Sequence, residues 1–103
     1  MSLHYRIEVS KDHAQVTAKW DISVDMSDTE LISNFTLTVE GKTLNTQCSG
    51  GNKVCNGADF ATLSNPSSDC PVTFVITTNK PDLRNGSDIL RGEKTFDDVD
   101  FAG

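Results

Sequence analysis

No uninterrupted apolar run in this chain approaches the ~20 residues a membrane-crossing helix requires, so no bilayer span is expected within it. Basic residues are scarce: 9 Lys plus Arg stand against 15 Asp plus Glu, a formal net charge of −6 and a pI near 4.6. That balance repels phosphate backbones and anionic lipid surfaces, which argues against a nucleic-acid partner or direct membrane insertion. Catalytic signatures are missing as well. There is no Gly-x-Ser-x-Gly elbow and no Cys-x₂₋₄-Cys pair of the kind that binds zinc. His4 and His13 flank a strand and its turn with no nucleophile arranged around them, and they read as exposed bystanders. The chain is therefore expected to be non-catalytic and to need no cofactor. A secretory leader needs a basic start and an apolar stretch, and neither is present. Met1-Ser2-Leu3 reads as a start codon plus cloning remnant ahead of a fragment of a longer protein.

What the chain does contain is alternation. Val16-Thr17-Ala18-Lys19-Trp20 and Ile32-Ser33-Asn34-Phe35-Thr36-Leu37-Thr38-Val39 each place apolar residues at every second position. This is the period of a strand with one face on a core and the other in water. The only Trp sits at the inward phase of the first stretch and Phe35 at that of the second. Two large rings from two strands predict a core filled from both layers of a sandwich.

Around these, the same period predicts a first strand through Leu3, Tyr5, Ile7 and Val9, then a polar turn at residues 10–13. The second strand covers about residues 14–24, and residues 25–29 form a loop. Ser27 and Glu30 have capping-box spacing, but no helical periodicity follows them. Gly41 offers a positive φ for a turn after the third strand, and residues 43–48 read as a weaker return. A short strand is expected at about residues 60–63 and a clear one along Cys70-Val72-Phe74-Ile76-Thr78. Pro81 and Asn85-Gly86 mark a hairpin turn within residues 79–88, and the last strand falls somewhere in residues 89–101. Seven short strands, turns about every 8–12 residues and no helix describe one domain of 103 residues: an antiparallel sandwich with Trp20, Phe35, Leu37 and Phe74 in its core.

Two features bear on compartment. Asn34-Phe35-Thr36 and Asn85-Gly86-Ser87 fit the N-glycosylation acceptor pattern, whereas Asn65-Pro66-Ser67 is excluded by its proline. Three cysteines, of which Cys48 and Cys55 lie close in sequence, suit an oxidising compartment better than the cytosol. An extracellular or cell-surface protein is expected.

Over nearly its whole length the chain resembles a fibronectin type III domain. The resemblance rests on Val16-x-Ala18-x-Trp20, on Ile32 to Val39 as an Ile-x-Asn-Phe-x-Leu-x-Val run, and on Leu63, Pro66 and the alternation from Cys70 to Thr78. It departs from the family in lacking the usual tyrosine at the start of the sixth strand, where Cys70 or Val72 falls. The Leu-to-Pro spacing is one residue longer, and the proline after the Trp strand is absent. These departures mark a divergent member and leave a cousin sandwich, immunoglobulin-like or cadherin-like, open.

The resemblance implies seven strands, with sheet ABE facing sheet C′CFG. It places Cys48 at the end of C′ and Cys55 just before E, close enough for a Cys48–Cys55 disulfide. Cys70 falls at the opposite end as a buried free thiol. It implies a spacer or protein-binding module of a cell-surface receptor, adhesion protein or receptor-type tyrosine phosphatase ectodomain. Neighbouring domains would flank it, and the loops at residues 25–30 and 79–88 would form its contact surface. An exposed Asn34 would carry its glycan on the outer face of C′CFG, and Asn85 in the FG turn would be the more accessible acceptor. Two alternatives accompany this reading. One is a calcium-rigidified adhesion repeat using Asp25, Asp28 and Glu30 or Asp97, Asp98 and Asp100, which otherwise read as solvated acids. The other is an accessory module of a secreted polysaccharide-degrading enzyme, which the lone Trp disfavours as a sugar-stacking platform. Arg91-Gly92-Glu93 differs from the Arg-Gly-Asp integrin tripeptide by a methylene that displaces the carboxylate, and no integrin role is read from it.

Overall fold

A computed structural model describes residues 2–12, 15–25, 34–51, 53–60, 69, 71–82 and 86–101. Their strands are β1 (Ser2–Asp12), β2 (Gln15–Asp25), β3 (Asn34–Val39), β4 (Lys42–Thr43), β5 (Gln47–Ser49), β6 (Val54–Phe60), β7 (Val72–Asp82) and β8 (Gly86–Phe96). One helical turn follows, α1 (Asp98–Phe101). The strands form two antiparallel sheets, ordered β1-β2-β6-β5 and β4-β3-β7-β8. The molecule is a β-sandwich.

The inward phases build the interior. Ala18, Trp20, Ile22 and Val24 of β2 are buried, while Lys19 and Asp21 between them are exposed. Across the sandwich, Leu37 and Val39 of β3 and Val72, Phe74 and Ile76 of β7 meet them, with Phe35 half-buried against the same cluster. Trp20 and Phe35 thus enter one core from opposite sheets. Phe74 and Phe96 also meet edge-to-face at 5.7 Å between centroids, the arrangement favoured by the ring quadrupoles. Leu3 belongs to this framework too, opposite Val24 in the β1–β2 register and half-buried on the core.

Several expectations change. The return predicted over residues 43–48 is divided between the sheets. Lys42–Thr43 pairs with β3, Leu44 turns inward and is buried, and Gln47–Ser49 pairs with β6. The Leu44 amide donates to the Leu37 carbonyl at 2.8 Å, which holds the crossing against β3. The described residues therefore contain eight strands, four in each sheet, where seven were expected.

A strand expected at residues 60–63 is described only from Val54 to Phe60, residues 61–63 lying outside the described residues, so Cys55 is inside it and Cys48 is on β5 of the same sheet, not at the end of C′. The cause is steric: Trp20 lies opposite Gly57, and the indole occupies the space a side chain there would fill. Strand also reaches further than expected into the stretches read as turns, with β1 continuing to Asp12, β7 to Asp82 and β8 beginning at Gly86, while residues 13 and 83–85 lie outside the described residues. Pro81 lies opposite Ser87 of β8, and the pairing of β7 with β3 among the described residues runs from Asn79 to Phe74. Asn34 is the first described residue of β3, and residues 31–33, expected as part of the same alternation, lie outside the described residues.

The turn between β3 and β4 has positive φ at both Glu40 (52°) and Gly41 (75°), the type I′ signature of a two-residue hairpin. α1 packs beside β1 and β8.

Candidate functional site

Cys48 and Cys55 form a disulfide between directly opposed residues of β5 and β6, with Cα atoms 4.1 Å apart. Cys48 is exposed at the flank of the sandwich, while Cys55 is buried. The link closes a short loop that turns through Gly50 (φ 61°) and Gly51 (φ 71°), conformations that glycine adopts without strain. The Val24 amide donates to the Lys53 carbonyl at 2.9 Å and ties this loop to β2.

Beside the disulfide lies a second tie. The Trp20 Nε1–H donates to Thr46 Oγ1 at 3.2 Å, and that hydroxyl donates onward to the Leu44 carbonyl at 3.4 Å. A Cβ built on Gly57 would stand 2.8 Å from Trp20 Cζ2, so the indole needs this glycine. Neither Thr46 nor Gly57 was read from the sequence as part of this site. A lone glycine amid strand-forming residues was the available signal, since it often marks a close approach.

On the opposite flank, β1 and β8 close the sandwich. The Tyr5 hydroxyl donates to the Glu93 carbonyl at 3.1 Å, and the Tyr5 ring would lie 2.6 Å from a Cβ on Gly92. A groove of about 470 Å³ bordered by Tyr5, Arg6, Ile7, Glu93 and Lys94 runs along this seam. Lys94, at an inward phase of an edge strand, stays exposed with Nζ 5.6 Å from the Phe96 ring centre. A lysine so placed discourages another strand from docking there.

The outer face of β1-β2-β6-β5 is polar and charge-balanced. Arg6 lies opposite Asp21 and Glu8 opposite Lys19, and Arg6 also pairs with Glu8 along its own strand. The outer face of β4-β3-β7-β8 carries Asn34, Thr36, Thr38, Thr43, Thr77 and the Thr73–Thr95 pair, whose hydroxyls lie 3.0 Å apart. Asn34 is exposed there.

The remaining candidates divide. His4 is exposed on the outer face opposite Ser23. Asp97 Oδ1 accepts from the Val99 amide at 3.0 Å, and Asp100 Oδ2 accepts from the Asp97 amide at 2.9 Å. These two carboxylates cap α1 reciprocally, as a capping box does. Among the described residues no group of three or more His, Cys, Asp or Glu is placed to hold a metal ion. Arg91-Gly92-Glu93 lies in mid-β8 with Gly92 beneath Tyr5, and Arg91 pairs with Glu93 at 2.5 Å. His13, Asp28, Glu30, Cys70 and Asn85 lie outside the described residues.

No protein-family model matches the chain, and no curated protein and no solved structure matches it.

Proposed function

We propose that this sandwich is a non-catalytic extracellular module, a divergent fibronectin type III-like repeat that serves as a spacer or protein-interaction unit in a receptor or adhesion ectodomain. The observation that carries the reading is the Cys48–Cys55 disulfide, a bond that persists in oxidising compartments and is rare in the cytosol. The strand order lends the family part partial support: β1-β2-β6 facing β4-β3-β7-β8 is the order that A-B-E facing C′-C-F-G would give, whereas β5 beside β6 is a departure toward the D strand of constant-type immunoglobulin sheets. The exposed Asn34 acceptor and the two polar outer faces are consistent with a surface in water. Contacts with a partner are assigned to residues 25–30 and 79–88, the segments that the resemblance makes its contact surface, since a rigid sandwich frees its connections for recognition.

The test is labelling of intact cells that express the full-length natural chain, using a membrane-impermeant amine reagent. The reading expects modification of exposed lysines such as Lys19 and Lys94 without permeabilisation. Labelling only after the membrane is opened would refute it.

A further inference from the structure

We infer that Cys48–Cys55 is a thiol–disulfide exchange site, opened within the folded sandwich by a vicinal dithiol that attacks at Cys48. Three observations converge. The first is access: Cys48 is exposed, whereas Cys55 is 1% exposed, so an incoming thiolate reaches only one residue of the pair. Exchange rates depend on which sulfur can be approached, and exposed disulfides are the labile ones.

The second is local stability. β5 has three residues, all exposed, and among the described residues pairs only with β6. Its connection to β6 passes through exposed glycines, and nothing lies within 4 Å of a Cβ placed on Gly50. An element with so little buried surface opens at a small fraction of the global unfolding free energy. The third is what stays behind. β6 is held to β2 over seven residue pairs from Thr17↔Phe60 to Ser23↔Val54, so releasing β5 leaves that sheet paired.

The chemistry balances as follows. A thiolate of the dithiol attacks Cys48 Sγ, forming a mixed disulfide while the Cys48–Cys55 bond breaks. The bonding pair leaves on Cys55 Sγ, which takes a proton. The second thiol of the reagent then attacks its own sulfur in the mixed disulfide, and Cys48 departs as a thiolate that is protonated. Two electrons and two protons pass to the protein, and the dithiol is oxidised to a disulfide. What opens is the clasp on β5, and with it the Val54–Asn56 edge of β6 becomes free for pairing.

The test uses the wild-type chain, and Cys70→Ser in parallel so that exchange with the third cysteine is removed. Glutathione, a monothiol, traps the mixed disulfide, N-ethylmaleimide caps free thiols, and peptide mass spectrometry locates both. The expected result is glutathione on Cys48 with maleimide on Cys55. With dithiothreitol and no denaturant, reduction should run about tenfold or more faster than global unfolding measured by hydrogen exchange, with the β-sheet circular dichroism retained. Glutathione on Cys55, or reduction no faster than global unfolding, would overturn the proposal.

Discussion

Trp20 carries the most structural consequence per residue. Its ring is 2% exposed, lies over Gly57 and spends its only polar atom on Thr46. Gly57→Ala forces a methyl group into the indole and should cost about 1–3 kcal/mol, read as a lower denaturant midpoint. Two threonines make a paired test. Thr46→Val leaves the indole N–H without its acceptor and should destabilise by about 1 kcal/mol. Thr78 is fully buried, and its hydroxyl has no hydrogen-bond partner among the described residues, so Thr78→Val removes an uncompensated polar group. That variant should be neutral or gain up to about 1 kcal/mol in thermal unfolding. One substitution at two sites thus has opposite expected signs. Trp20 and Leu37 were legible as interior residues because each sits in an unbroken alternation. Thr78 was legible too, as the end of the Cys70 to Thr78 alternation, but Thr46 was not, since nothing in a sequence marks a threonine that faces an indole.

At the scale of elements, legibility followed how completely each strand fills its inward positions. β2, β3 and β7 could be read because those positions hold Ala18-Trp20-Ile22, Phe35-Leu37-Val39 and Val72-Phe74-Ile76. β6 offers Cys55, Gly57 and Asp59 on the same side, and β8 offers Leu90, Gly92 and Lys94. Each departure answers to a neighbour: Gly57 makes room for Trp20, Gly92 makes room for Tyr5, and Lys94 stands at an edge. Such residues weaken the pattern that would announce the strand. The division of β4 from β5 was hidden for a related reason, because Leu44 is drawn inward by the β3 carbonyl at Leu37 and no local signal records that. The clasp on β5 carries its own prediction. Replacing both cysteines, Cys48→Ser with Cys55→Ser, reopens a loop closed at a sequence separation of 7 and should cost about 2.5 kcal/mol on the chain-entropy model. Urea unfolding of the double variant against the oxidised parent reads this difference as a shift in midpoint. An unchanged midpoint would mean that β5 contributes nothing to the folded state's advantage.

The molecule is elongated, 48 × 24 × 19 Å. Both outer faces are polar, one a balanced lattice of Arg6, Glu8, Lys19 and Asp21 and the other dominated by threonine. The net charge of −6 favours partners of positive or neutral surface over anionic ones. A secretory origin has a covalent consequence at this scale, since Asn34 is exposed and followed by Phe35 and Thr36, so a glycan is expected there. Peptide mass mapping without reduction, on the full-length chain secreted from animal cells, tests the account most directly. It should return a Cys48–Cys55 cross-linked peptide together with a glycan on Asn34. A cross-link that contains Cys70, or three free thiols with an unmodified Asn34, would contradict it.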